Sequence, residues 1–537
     1  TGKEDGTDYL MGVKVAVPEP RLRDSYGDNN TQFLNVKANY DKKIGDHSLS
    51  AFIAYEFSQY KDKGISAFRR YFISDKLPYL FAGSVNEQTI ESSVSIDARV
   101  NYFGRVSYNY CEKYLFEFTF RHDGSIRFSK ETGRWGNFPS VLLGWRISNE
   151  NFWRDHIPFI NYFKLRASWG QMGNDKVDPF QYLTSYGFGT GTVFGTDKLY
   201  TSALYPSGTS NPLITWEVAN ILNIGFESRF LNNKMKLDAE YFYQRRDKIL
   251  VKRNASVPNF TGISLPDENF GIVENKGLEA VLGYFNKIGD FSISVNGNLA
   301  YAKNSIVEFD EPAKSVPWQV LTGHPVGSIL LYKAIGVFND EADVLSYPHV
   351  SGAQPGDIII EDISGDGIIN NDDRIIFEKT ADPKVTYGIT LEMNYKNWGL
   401  SALVQGVGNC MRDMYQPISG TGGNYFAYDA DGRWTPDNIY ANKPRAWERE
   451  EYYWRTNYKT DYTYQNAAFA RLKNLQFSYK IPQKIQKAFL LQGAELYFSG
   501  QNLLLFYSGN KLMDPEIGKI TNYPLMKVYA FGAKIAF

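Results

Sequence analysis

The segment 97–121 alternates apolar and polar side chains on both sides of a short turn at 111–113. Because successive side chains of a β-strand point to opposite faces, this alternation predicts a hairpin with one apolar face and one charged face. The apolar face comprises Val100, Tyr102, Gly104, Val106, Tyr108, Tyr110, Tyr114, Phe116, Phe118 and Phe120. The opposite face comprises Arg99, Asn101, Arg105, Ser107, Asn109, Glu117, Thr119 and Arg121, with Phe103 as its apolar exception.

Two features of this hairpin favour a membrane barrel over a soluble sheet whose apolar face packs on a core. The apolar face consists mainly of large aromatic side chains that cluster toward the turn, where a girdle at the boundary between lipid and water would lie. The polar face carries full charges in the middle of the strands, which suits a water-filled or plugged lumen. The aromatic face is therefore predicted to contact lipid.

The composition agrees with this interpretation and excludes other classes. The net charge of −1 over 537 residues gives no indication of nucleic-acid binding, whereas aromatic residues reach 16%. Mean hydropathy is −0.38, and no stretch approaches the roughly 18 apolar residues of a transmembrane helix. A polar average with strong alternation is typical of a transmembrane β-barrel. The cysteines, Cys111 and Cys410, lack metal-site spacing and are predicted to be unpaired thiols.

Alternating segments of the length of a tilted membrane strand recur along the whole chain. A weak example lies at 8–17. The clear examples are 32–44, 47–60, 97–110, 114–128, 136–148, 161–173, 214–231, 234–248, 273–286, 291–308, 384–395, 399–411, 466–480, 494–507 and 524–537. The predicted fold class is thus all-β, a transmembrane antiparallel up-and-down β-barrel with about fifteen or sixteen strands in this chain.

The connections between these segments alternate between short turns and long loops, as in outer-membrane barrels with periplasmic turns and extracellular loops. Two links on the side of the turns are longer, and the one at 482–493 is predicted to be a short helix that starts after a proline. The last strand ends on the aromatic Phe537 at the periplasmic side. The predicted extracellular loops are 61–96, 174–213, 249–272, 309–383, 412–465 and 508–523.

Several motifs resemble the SusC/RagA-type TonB-dependent transporters of Bacteroidota outer membranes, in the same order from about residue 32 to the C-terminus. The motifs are Asn101–Val106, Arg121–Ser125, Arg134–Ser140, Gly144–Ser148, Leu165–Gln171, Glu274–Glu279, Arg471–Leu475 and Ser499–Leu503. The resemblance implies a 22-stranded barrel with an N-terminal plug, a SusD-like lipoprotein over the extracellular mouth and energy coupling by TonB. It also implies a glycan or peptide cargo and a dimer of transporter–lipoprotein pairs.

This chain differs from the family pattern because the plug, the TonB-contacting segment and the first strands are not in the sequence. Residues 1–537 are therefore expected to be the C-terminal portion of the barrel, and the first residues read as the middle of a longer protein. Fifteen or sixteen strands are too few for a 22-stranded barrel, and unsatisfied backbone in lipid costs several kcal/mol per group. The chain alone is predicted to form an open sheet.

One loop carries the spacing of a calcium-binding loop. Hard oxygen ligands in this order suit Ca²⁺, and an aspartate at the twelfth position should weaken bidentate binding. The apolar Ile369 is positioned to anchor the loop, and the alternative is an Asp/Gly turn without an ion. The candidate ligands are Asp362, Ser364, Asp366, the carbonyl of Ile368, Asn370 and Asp373.

The loop 412–465 is rich in aromatic side chains, of which Trp434, Trp447, Tyr453 and Trp454 are the candidates for ligand or partner binding. Rings stack on sugars and dominate interfaces, so the loop is predicted to bind substrate, to anchor the lipoprotein, or to pack on itself over the barrel mouth. The lumen residues Arg99, Arg105, Glu117, Lys164 and Arg166 are candidates for contact with substrate, but contact with the plug or with water is the preferred interpretation.

No pattern in the sequence supports an enzyme. His122, Asp123 and Ser125 are the residue types of a catalytic triad, but neighbours on a strand point in diverging directions and form no relay. The predicted function is energy-coupled import of a bulky nutrient across the outer membrane. The alternatives are a passive porin or adhesion barrel, and a soluble β-rich glycan-binding protein.

Overall fold

A computed structural model describes residues 2–4, 7–9, 20–72, 76–86, 88–194, 196, 199–206, 209–252, 266–413, 427–446, 458–510, 512–518 and 522–537. One antiparallel sheet dominates it, and in its main path each of fifteen strands pairs with its neighbours in chain order. The strands are β1 Arg21–Ile44, β2 His47–Arg70, β3 Gln88–Tyr110, β4 Tyr114–Ser125, β5 Ser140–Trp145, β6 Ile160–Asn174, β7 Glu217–Phe230, β8 Met235–Lys252, β9 Asp267–Ile288, β10 Phe291–Glu308, β11 Val385–Tyr395, β12 Trp398–Gly408, β13 Phe469–Lys480, β14 Gly493–Ser508 and β15 Val528–Ala536.

The predicted fold class is confirmed, because every clear alternating segment corresponds to one of these strands. The short strand Trp135–Asn137 pairs with β4 outside the main path. Of the weak segment 8–17, residues 8 and 9 belong to the strand Thr7–Tyr9, which pairs with Gly2–Glu4 rather than with the main sheet. Residues 10–19 lie outside the described part of the chain.

The register of the sheet brings the apolar positions of successive strands onto one outward face. A single row of cross-strand partners runs through ten strands, from β2 to β11, and all its members are apolar or aromatic. A second apolar row continues from β11 to β15. The first row is Leu49, Tyr108, Phe116, Leu143, Ala167, Ile224, Tyr241, Leu278, Tyr301 and Val385. The second is Met393, Leu400, Phe477, Phe498 and Phe531.

Short connections lie at one end of the sheet and long ones at the other. The two-residue turns use residues with positive φ, as such hairpin turns require, including Gly45 at 55° and Gly289 at 57°. The two longer links at this end contain the helices α1 Asn151–His156 and α4 Gln483–Ala488, and the latter is the helix predicted after Pro482. Among the described residues, no helix is long and apolar enough to cross a membrane.

The predicted loop 61–96 is wrong for most of its length. Strand β2 continues to Arg70 and β3 starts at Gln88, so the connection comprises only 71–87. Likewise β8 and β9 extend into 249–272. The added strand residues mix charged and small polar side chains with apolar ones, so the clear alternation that identified the other strands does not extend through them.

The other long connections contain structure of their own. The connection 174–213 contains the hairpin of Tyr186–Phe194 and Leu199–Pro206. The loop 309–383 contains the strand pairs Ile329–Tyr332 with Arg374–Phe377 and Ala334–Val337 with Ile358–Ile360, and the helix α2 Glu341–Ser346. The loop 412–465 contains the helix α3 Ala427–Ala430, and Met411–Asp413 pairs with Tyr464–Asn466.

Within the described residues the sheet is open, as predicted. Strand β1 pairs only with β2, and β15 pairs only with β14. The side chains of β1 are almost all exposed. Both edges therefore present backbone donors and acceptors that a closed barrel would pair.

Candidate functional site

The inward face of the sheet carries ion pairs between neighbouring strands, and four of the five predicted lumen residues, Arg105, Glu117, Lys164 and Arg166, take part in them. Lys164 and Arg166 of β6 both approach the carboxylate of Glu227 on β7, at 3.3 and 3.6 Å. Arg166 also pairs with Glu240 on β8. The resulting ladder crosses three adjacent strands and leaves each of these cations beside a carboxylate of the barrel wall.

Arg105 and Glu117 form such a pair between β3 and β4, whereas Arg99 pairs with a residue that follows β6. Arg105 lies 3.8 Å from Glu117, which also accepts a hydrogen bond from the Ser107 hydroxyl at 2.8 Å. Nearer the long loops, the Nε of Arg99 donates to Asp175 at 2.8 Å. Each of these lumen charges thus lies beside a charge of opposite sign.

The loops 309–383 and 412–465 fold together into one body, here called the joined loop unit (residues 309–383, 427–446 and 458–465). Tyr332 is buried against Tyr458, with ring centroids 5.6 Å apart, and its backbone N–H donates to the carbonyl of Lys459 at 3.0 Å. Burial raises the pKa of Tyr332 to about 12. The buried cluster contains Tyr332, Val350, Ile358, Ile360 and Ile369.

Trp434 lies in this unit and joins its two loops. Its indole Nε1 donates to the carbonyl of Asn339 at 2.9 Å, and its ring is packed so closely on Gly356 that a Cβ there would come within 2.6 Å. This geometry corresponds to the self-packed alternative for Trp434, and binding of a ligand or partner stays a prediction. Trp447, Tyr453 and Trp454 lie outside the described residues.

The calcium-type loop is closed by backbone donors. Asp362 accepts from the N–H groups of Gly365 and Gly367 at 2.8 and 2.9 Å. Burial raises the pKa of the Asp362 carboxyl, but these N–H donors outweigh it, so the pKa lies below its ordinary value. Asp373 is fully buried and caps the short 3-10 helix Asn371–Asp373 through the N–H of Asn370.

The remaining residues of this loop differ in how deeply they are buried. Ile369 is 6% exposed and belongs to the buried cluster, so it anchors the loop as predicted. Asp366 is exposed, accepts from the N–H of Ile368 and lies at the tip. Within the described residues, no group of three or more His, Cys, Asp or Glu side chains is arranged to hold a metal ion. Calcium binding by Asp362, Ser364, Asp366, Ile368, Asn370 and Asp373 stays a prediction.

The three triad residue types do not form a relay. His122 stacks on Trp135 with centroids 4.6 Å apart and hydrogen-bonds Asn137. Asp123 accepts from Arg121, and Ser125 is completely buried. In these contacts each of the three side chains has its own surroundings, and none is hydrogen-bonded to another.

Five large apolar side chains in separate long connections are strongly exposed, and the sequence reasoning singled out none of them as a candidate site residue. Each is more than three-quarters exposed: Phe81 76%, Phe188 82%, Leu345 79%, Tyr440 81% and Tyr523 80%. Because neighbouring strands are antiparallel, all five connections emerge at the same end of the sheet. A single exposed apolar residue is common on a protein surface, so what these five residues share is their position at one end of the sheet. The only signal in the sequence is an isolated apolar residue in a polar loop, which the buried Ile369 shares.

Comparisons with known proteins agree with this architecture. The sequence model of the family described as "TonB dependent receptor-like, beta-barrel" matches residues 4–503. The TonB-dependent receptor P3 of Formosa agariphila is 29% identical over 529 residues, which cover 93% of this chain and 51% of that protein. The TonB-dependent receptor SusC of Bacteroides thetaiotaomicron is 26% identical over 566 residues, covering 99% and 53%.

Among solved structures, the RagAB peptide transporter has a chain that superposes with a TM-score of 0.79 at 21% identity, covering 97% of this chain and 57% of that one. This similarity concerns the fold. The present chain spans about half the length of the curated relatives that it matches.

Proposed function

We propose that this chain, which belongs to the TonB dependent receptor-like, beta-barrel family, is the barrel wall of an outer-membrane transporter that imports a bulky nutrient. The observation that carries the proposal is the register of the sheet. It keeps apolar rows outward across the strands and ion pairs inward, as a lipid-facing wall around an aqueous lumen requires. The short turns then face the periplasm and the long loops face the exterior.

Energy coupling is proposed through TonB, which would act on an N-terminal plug supplied by sequence outside this chain. The same sequence would supply the strands that complete a 22-stranded barrel. The proposed transport involves no chemistry on the cargo, since the lumen cations and carboxylates are engaged with each other. The cargo is a glycan oligomer or a peptide, and the second option is supported by the fold shared with a peptide transporter.

The proposed partner is a SusD-like lipoprotein that covers the long loops, in a complex that pairs into a dimer. The five exposed apolar side chains support this role, because all of them lie in connections at the end of the sheet that such a lid would cover. The joined loop unit gives two of them, Leu345 and Tyr440, a folded platform.

The test is copurification of the lipoprotein with the whole transporter from native membranes. The triple variant Phe81→Ser, Tyr440→Ser, Tyr523→Ser should lose most of the bound lipoprotein. Phe489→Ser is the matched control, since Phe489 is 71% exposed at the opposite, periplasmic end. Equal recovery with both variants would contradict the lid.

Growth on the cargo provides the second measurement. Uptake should stop when TonB is absent, whichever of glycans or peptides supports growth. Uptake that continues without TonB would identify a passive porin instead.

A further inference from the structure

The outward face of the sheet has a groove of about 630 Å³ between strands β4 and β7, close to the end with the short turns. Its lining is almost entirely apolar, and its volume falls within the range of small-molecule sites. The side chains that matter below are Phe116, Leu143, Trp145, Leu165, Ala167 and Ile224.

The groove exists because Ala167 interrupts a row of bulky residues. Ala167 pairs across the sheet with Leu143 on one side and Ile224 on the other, and Phe116 follows Leu143 in the same row. The next row toward the turns contains Trp145 and Leu165. A methyl group surrounded by larger side chains leaves a depression in an otherwise filled apolar surface.

The lower wall of the groove is held in place by one carboxylate. The Tyr114 hydroxyl donates to Glu150 at 2.8 Å, and the Trp145 indole donates to the same oxygen at 3.2 Å. The Lys113 ammonium lies 2.9 Å from the other oxygen of Glu150. Both rings are therefore fixed before a ligand arrives, and preorganisation of this kind favours binding. The groove is apolar along its length and charged at one end.

We propose that this groove binds one acyl chain of a phospholipid of the periplasmic leaflet, with the headgroup beside Lys113 and Glu150. The position of the groove selects the ligand, because its outward face lies in the lipid-facing rows and its charged end lies at the turns. The assignment to the periplasmic leaflet rests on the orientation in the proposed function. The bound lipid would differ from the surrounding bilayer because its chain lies in a depression beside two rings that are held by Glu150.

The experiment is native mass spectrometry of the whole transporter, purified with its partner from native membranes in a mild detergent. The wild-type protein should retain one phospholipid after extended washing. Ala167→Phe fills the groove and should reduce this retention at least about tenfold. Ala402→Phe is the matched control on the same outward face of β12, where Ala402 pairs with Leu391 and Leu475, and it should retain the lipid.

Each other outcome overturns the proposal. These outcomes are equal retention in both variants, a retained lipopolysaccharide of the opposite leaflet, and groove-dependent retention of detergent alone. Lipid retention is measured without transport. A failure of import would therefore not affect the retention result, and a loss of lipid would not affect the test of import.

Discussion

The Nε of Arg445 donates to Asp357 over 2.6 Å, and this pair ties the two halves of the joined loop unit together. The Asp357 side chain is 0% exposed and that of Arg445 is 16% exposed. Asp357 also accepts the N–H of Gln354, so its carboxylate is held from both loops. Removal of the paired cation would leave a buried carboxylate without a compensating charge, which strongly destabilises a folded structure.

Arg445→Ala should therefore destabilise the joined loop unit by about 3–5 kcal/mol while the barrel stays folded. The measurement is protease sensitivity of residues 309–383 as a function of urea. The control is Lys333→Ala, whose pair with Glu361 is 44% and 32% exposed and should matter by about 1 kcal/mol at most. Similar effects of the two variants would contradict the assigned role of the buried pair.

Gly406 should tolerate no side chain, because Tyr387 lies across it. A Cβ at Gly406 would be 2.3 Å from the Tyr387 ring, whose hydroxyl donates to the Phe469 carbonyl at 3.2 Å. Gly406→Ala should cost about 1–3 kcal/mol of barrel stability in a urea titration in lipid vesicles. At Gly408 the nearest atom is 3.6 Å away, so Gly408→Ala should change stability by only about 0.5 kcal/mol. Equal tolerance at both positions would show that the ring moves freely.

The two faces of β11 can be tested at adjacent residues. Leu391 pairs with Val295 and Ala402 in the outward rows, whereas Thr390 occupies the alternate position. Leu391→Lys should cost about 2–4 kcal/mol near the middle of the membrane, and Thr390→Lys should be mild. Folding yields and urea midpoints in lipid vesicles provide the measurement. Equal damage at both positions would contradict the assigned faces.

Calcium should protect the loop 362–373 from proteolysis if its oxygens bind the ion as the spacing predicts. Chelation should then expose new cleavage sites, and Asp366→Asn should reduce the protection. Asp372→Asn is the control, because Asp372 is outside the ligand positions and accepts from Ser315 at 2.5 Å. An identical cleavage pattern with and without calcium would favour an Asp/Gly turn without an ion.

The Glu150 carboxylate should become protonated at a lower pH than an ordinary glutamate. Hydrogen bonds from Lys113, then Tyr114 and Trp145, lower the pKa of Glu150. A carboxyl with a lowered folded pKa stabilises the fold above its unfolded pKa, and this stabilisation is lost as pH falls through the folded pKa. Hydrogen-exchange protection of residues 146–157 should thus persist on acidification to below about pH 4.3.

Two variants identify the group that titrates in this experiment. Glu150→Gln should remove the acid step, whereas Glu112→Gln should keep it, since the Glu112 side chain is 69% exposed and pairs with Arg146. An acid step that survives in Glu150→Gln would belong to another carboxyl.

The alternation in the sequence could predict the strands, their order and their faces, because lipid on one side imposes a period of two. It could not predict the upper halves of β2 and β3, where the consecutive residues Lys61, Asp62 and Lys63 put charges on both faces of the strand. The pair of Asp357 and Arg445 spans 88 residues and leaves no local pattern. Ile369 and Leu345 look alike in the sequence, yet one is 6% and the other 79% exposed.

The groove at Ala167 was also beyond sequence reasoning. An alanine at an outward position is compatible with a flat wall as well as with a depression. Only the register shows that Ala167 lies between Leu143 and Ile224, one row above Trp145.

The length of β1 and β2 has a mechanical consequence for any lid. Each has 24 residues, which at roughly 3.3 Å per residue and a tilt of roughly 40° reach a height of roughly 60 Å, against an apolar band of about 25 Å. More than half of that height lies outside the apolar band and is still hydrogen-bonded sheet. A cover that closes on these strands meets a rim whose height is fixed by their hydrogen bonds. The tightness of the seal therefore depends on the movement of the cover and not on bending of the rim.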